Sequence, residues 1–102
     1  MALWTEDGTF AITGADVMVG RETLKGIPRL SFEKSGGMMI HMFSNLFCDY
    51  GESRDQIVAE YCELVTNWQA GGAFQAMATC RALIVRDGAA WRMKRNDVTM
   101  LR

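Results

Sequence analysis

Few residues in this chain have side chains suited to acid, base or nucleophilic chemistry. His41 is the only histidine, so any imidazole step has to run through it. Cys48 stands seven positions further on, and were residues 38–50 helical the two would share a face and form a thiol–imidazole dyad. No third, orienting group can be named for that pair. Reactive cysteines need an exposed electropositive setting, and this segment does not offer one. Ile40 and Met42, on either side of His41, instead suggest an imidazole set among core residues.

Adding Cys62 and Cys80 supplies four ligands of the types a zinc site uses, but the spacing is wrong. Every gap is seven residues or more, whereas structural zinc sites anchor two ligands in a short knuckle. Three cysteines separated by fourteen and eighteen positions suit no disulfide framework either. They are expected to be reduced and buried, with no metal ligands and no cofactor. Asp49, Glu52 and Asp55 cluster without the alternating pattern of a calcium loop. Gly36-Gly37 and Gly71-Gly72 belong to no phosphate-cradling motif, and read as a turn and a helix stop.

The remaining constellation is a basic C-terminal ribbon. Residues 1–74 hold five basic and ten acidic side chains, and residues 75–102 hold six basic and two acidic, so the chain's net charge of −1 conceals a segregation. Arg81, Leu83, Val85, Arg92 and Lys94 are expected on one mixed face of a hairpin, with Arg95 and Arg102 nearby. Arginine among aliphatic groups is an interface composition, which makes these the candidate binding residues for a protein partner. A two-stranded basic ribbon also suits a nucleic acid, although a nucleic-acid domain is usually basic throughout.

The elements that must position these residues follow from patterning. Ser53 and Gln56 form a capping box, Asp55 suits the start of a helix, and Ile57, Tyr61, Leu64, Val65 and Trp68 recur at helical spacing before Gly71-Gly72. That predicts one main helix at about 54–70, with Glu60, Glu63 and Asn67 facing outward. Asp7-Gly8 and Asp87-Gly88 each predict a β-hairpin. A two-residue turn at the second pairs Arg86 with Ala89, Ile84 with Trp91 and Leu83 with Arg92. Ile27 to Lys34 reads as a strand with Pro28 near its start. Met38 to Phe43 reads as a second strand giving way to a short helical turn, and Asp16 to Val19 as a short strand. Residues 73–83 read as part of the hairpin, with a helix as the rival.

These elements predict an α+β domain: an antiparallel sheet of about four to six strands built from hairpins, with the 54–70 helix packed on one face. At 102 residues, 49% hydrophobic and 23% charged, the chain has the size and composition of a single compact domain. The N-terminus has no basic start followed by an apolar run, and no stretch approaches the roughly 18 apolar residues of a membrane span, so a cytoplasmic location is expected. The expected function is non-enzymatic binding of a macromolecule: an inhibitor, adaptor or assembly component, of the kind phage or plasmid accessory genes encode. Nucleic-acid binding by the ribbon is the alternative, and a small Cys48/His41 enzyme the third. Eight methionines suit adaptable contact surfaces, and a homodimer through a sheet edge or the Met-rich segment is compatible with all three.

Overall fold

In the computed structural model, which describes residues 2–101, the stretch from Gln56 to Asn67 is extended, not helical. β4 (Gln56–Asn67) is flanked by β3 (Met39–Tyr50) and β5 (Ala73–Asp87), and β5 turns into β6 (Ala90–Met100). Ahead of them come β1 (Trp4–Ile12), β2 (Met18–Val19), α1 (Arg21–Leu24) and α2 (Ile27–Ser35), and a single 3-10 turn (Trp68–Ala70) links β4 to β5. The six strands form one sheet in the order β2-β1-β6-β5-β4-β3. All neighbours are antiparallel except β1 and β6, which run parallel. The chain thus has the expected α+β class, a sheet with a helix on one face.

The helix is not the expected one. Ser53 and Gln56 do satisfy backbone donors, but in the turn between β3 and β4. Ser53 Oγ accepts from the Asp55 amide at 3.2 Å, the Gln56 side chain accepts from the Glu52 amide at 3.2 Å, and the Gly51 amide bonds the Gln56 carbonyl. Local side-chain bonds of this kind serve turns as readily as helix starts. The apolar residues of β4 lie on both faces of a sheet, and such a strand loses its period-two signature.

The observed helix is α2, where a strand was expected. Pro28 occupies its first turn, where a missing N–H is harmless, and Gly36 closes it in the left-handed region at φ 60°. Asp7-Gly8 is likewise no turn, since β1 runs through it. Gly8 is needed for close approach: a Cβ there would meet the Trp4 ring at 2.9 Å and Leu24 at 3.2 Å, which is how α1 seats its one buried residue, Leu24, against β1. β3 is one continuous strand with a bulge between Ser44 and Phe47, where Asn45 takes φ 54°.

The Asp87-Gly88 hairpin is present with a different register. Asp87 pairs with Ala90, Arg86 with Trp91 and Ile84 with Met93; a bulge then makes Leu83 pair with Arg95 and Arg81 with Asp97. Gly88, at φ 66°, supplies the turn, so the loop lies one residue further on than expected.

Strand alternation gives the sheet two faces. One carries Ala78, Cys80 and Val98, buried beneath Phe10, Ile12, Tyr61 and Met100. It is also the helix side, because the Ser31 hydroxyl of α2 reaches Met39 Sδ at 3.6 Å, and a cleft there is lined by Pro28, Ser31, Met39 and His41. The opposite, open face carries Val58, Glu60, Leu64, Met77, Arg81 and Leu83, placed there by the β4–β5 register. Among the described residues no helix is long and apolar enough to cross a membrane.

Candidate functional site

His41 sits opposite Val65, and Phe43, two residues along the same face, sits opposite Glu63. Diagonal neighbours across an antiparallel pair lie within reach of long side chains, and His41 Nε2 comes to 3.6 Å from Glu63 Oε1. The carboxylate is the more enclosed partner, 17% exposed against 38% for the imidazole. Its other oxygen accepts from the Cys80 thiol at 3.5 Å.

Tyr61, the next residue along this face of β4, stands opposite Cys80. Its hydroxyl accepts from Asn96 Nδ2 at 3.1 Å, and its ring meets Phe43 edge-on at a centroid distance of 5.6 Å. Because that hydroxyl accepts from the amide, its own proton is left to donate. Asn96 is buried, and its Oδ1 has no partner among the described residues. Five polar groups from four strands thus converge on one sheet face among Phe10, Ile12, Phe43 and Met100.

Burial pushes the Cys80 thiol up to about 12, with the Glu63 carboxylate adding to it. Cys80 is therefore a protonated donor, not a nucleophile. Burial likewise raises the Tyr61 phenol, against the lowering influence of the Asn96 bond, and keeps its proton in place. A carboxylate beside an imidazole fixes its tautomer and orients its ring. The arrangement can therefore accept a proton at His41 and offer a hydrogen bond from Tyr61.

The Cys48–His41 dyad does not form. Both residues lie on β3, and seven residues of extended strand put them roughly 20 Å apart. Among the described residues no three His, Cys, Asp or Glu side chains gather to hold a metal. Cys62 projects from the open face, away from Cys80 and His41, so the four-ligand set is split across the sheet.

The ribbon residues are placed elsewhere than this site. Arg81, Leu83, Val85, Arg92 and Arg95 share the open face, while Lys94 falls in the bulge and drops out of the paired face. Each arginine of the ribbon within the described residues is paired with a carboxylate: Arg81 with Glu60 at 3.6 Å, Arg86 with Asp55 at 3.1 Å, Arg92 with Asp87 at 3.2 Å, Arg95 with Asp97 at 2.7 Å. Arg102 lies outside the described residues.

Several solved structures share this fold. An NTF2-like protein with a cystatin-like fold from Novosphingobium aromaticivorans aligns with a TM-score of 0.81 at 21% identity, over 97% of this chain and 65% of that one. Aln2 from a Streptomyces species aligns at 0.81 and 20% identity, over 97% and 72%. A candidate scytalone dehydratase from Novosphingobium aromaticivorans aligns at 0.72 and 17% identity, over 99% and 68%. This chain therefore spans about two thirds of the length of the proteins it resembles. No curated protein sequence matches it significantly.

The sequence profile of the SnoaL-like domain matches residues 1–97. Together with the candidate dehydratase of the same fold, that match overturns the expectation of a protein-binding inhibitor or adaptor, and with it the phage or plasmid accessory role. The reason at the residue level is that the polar groups converge on the helix-side face, beside apolar and aromatic side chains, which is the composition of a small-molecule site. The chain belongs to the SnoaL-like domain family.

Proposed function

We propose that this domain takes a small, largely apolar molecule onto the helix-side face of its sheet and moves a proton on it, with His41 as the base and Glu63 as the carboxylate behind it. The observation that carries this reading is the His41–Glu63 contact on the same face as the Tyr61–Asn96 pair. The 3.6 Å separation is loose for a hydrogen bond, as is common before a ligand closes the site.

Neutral His41 takes a proton from a carbon beside a carbonyl, at the ring nitrogen that Glu63 does not engage. The C–H electron pair moves into the carbonyl and makes an enolate oxygen, to which the Tyr61 hydroxyl donates. The imidazolium, held by Glu63, then returns its proton. Delivered to a carbon it completes an isomerisation; delivered to a β-hydroxyl, which leaves as water, it completes a dehydration.

The test is exchange of α-protons into deuterated water, followed by NMR over a panel of cyclic ketones. Exchange above the buffer rate is expected, falling about a hundredfold or more in His41→Gln and in Glu63→Gln, the size of a general-base contribution. A buffer rate across the whole panel, or an undiminished rate in both variants, overturns the reading.

A further inference from the structure

We infer that Cys80 is a positioning residue of the helix-side site: its thiol fixes the Glu63 carboxylate and, through it, the tautomer of His41. The inference rests on the proton-transfer reading above, to which it adds a residue that acts through Glu63.

Glu63 stands on β4 between two partners. Its Oε1 lies 3.6 Å from His41 Nε2 on β3, and its Oε2 accepts from Cys80 Sγ on β5 at 3.5 Å. Cys80 pairs with Tyr61, two residues before Glu63, so the thiol reaches the carboxylate along the diagonal of the ladder. A glutamate side chain has several torsions to fix, and one long contact to a partly exposed imidazole leaves the carboxylate free to swing. Cys80 has a single torsion to its sulfur and is buried among Ala78, Val98 and Tyr61. It gives the second carboxylate oxygen a fixed point.

A thiol suits this task. It is a weak donor, so it orients the carboxylate without competing for it as a lysine or arginine would. Among the described residues no lysine or arginine pairs with Glu63. The sulfur is also a weak acceptor, and the Tyr61 hydroxyl bonds it, a contact that gives way to an enolate oxygen. Asn96 Nδ2 holds that hydroxyl from the other side at 3.1 Å. One run of contacts therefore joins Asn96, Tyr61, Cys80, Glu63 and His41, and Cys80 links the phenol to the acid–base pair.

His41 is the only histidine, so nitrogen NMR of the isotope-labelled chain reads its tautomer on one pair of ring signals. With the imidazole neutral, the native chain should hold a single tautomer, its proton on the nitrogen that faces Glu63. Cys80→Ala should give a mixture of both tautomers and slow α-proton exchange about tenfold or more, the cost of a misplaced catalytic group. Cys80→Ser, whose hydroxyl also donates, should restore both readouts to within a few fold. Val98→Ala removes buried volume beside Cys80 but not its thiol, and should change neither; circular dichroism checks that each variant is folded. Infrared spectroscopy reads the contact without touching Cys80: its S–H stretching band should move to higher frequency in Glu63→Gln, where the carboxylate charge is gone. A mixed tautomer in the native chain, both readouts undisturbed in Cys80→Ala, equal effects in Val98→Ala, or a band unmoved by Glu63→Gln overturns the inference. Exchange at the buffer rate in a native chain whose single tautomer is lost in Cys80→Ala would overturn the proton-transfer reading alone and leave the hold of Cys80 on Glu63 standing.

Discussion

Cys80 shows how far a single residue's surroundings decide its chemistry. It is an acid whose folded value, about 12, lies above its ordinary 9.0, so folding favours its protonated form. That contribution is complete below about 9, and is lost as pH rises through the folded value. Unfolding midpoints of the native chain should therefore fall between pH about 9 and 12 more steeply than those of Cys80→Ala. At pH 8 iodoacetamide should modify Cys48, which is exposed, and leave Cys80 unmodified until the chain unfolds; mass spectrometry reads both. A second prediction concerns Tyr61. Tyr61→Phe leaves the Asn96 amide unpaired in a buried place, and should lower stability by about 1–3 kcal/mol in denaturant titration. His41 was legible in the sequence, being the only histidine. Its partner was not, because a helical reading of β4 turned Glu63 outward.

Elements were legible where a turn residue has only one use. Gly88 requires a positive φ, and the hairpin forms around it. Where a signal has two uses it misled: Ser53 and Gln56 bond backbone donors in either setting, and Gly8 serves close packing where a turn was expected. Pro28 near the start and Gly36-Gly37 after Ser35 mark a helix as well as they mark an edge strand and a loop, and only the tertiary setting decides. Gly36→Ala should lower stability by about 1 kcal/mol, since alanine is strained at φ 60°, and a midpoint unchanged in thermal melts would show that α2 does not need its left-handed cap. A strand with both faces apolar, like β4, has no clean alternation to read, and helical spacing can be found in it. The two faces have different surroundings: the helices pack on one, and the other stands open.

At the scale of the molecule, one pairing differs from the rest. β3, β4, β5 and β6 follow one another by short hairpin connections, so each pairing closes a small loop. β1 instead pairs with β6 from the opposite end of the chain, in parallel, with a register break between Trp4 and Thr9. Closing a loop of roughly 85 residues costs about 4 kcal/mol of chain entropy, and parallel ladders are slightly less stable per residue. What holds β1 in place is local: Leu24 beneath Trp4 and Gly8, the Arg21 guanidinium on the Trp4 carbonyl at 2.8 Å, and Phe10 and Ile12 against the buried Val98. The sheet should therefore open in two stages. Under native-state hydrogen exchange the amides of β4 and β5 should exchange only on global unfolding, whereas those of β1, β2 and α1 should exchange together, at a free energy lower by about 1–3 kcal/mol. Ile12→Ala should lower the β1 value and leave the β4–β5 value nearly unchanged. Protection of β1 equal to that of β5, with both falling together in Ile12→Ala, would show instead that the parallel pair belongs to one cooperative unit with the hairpins.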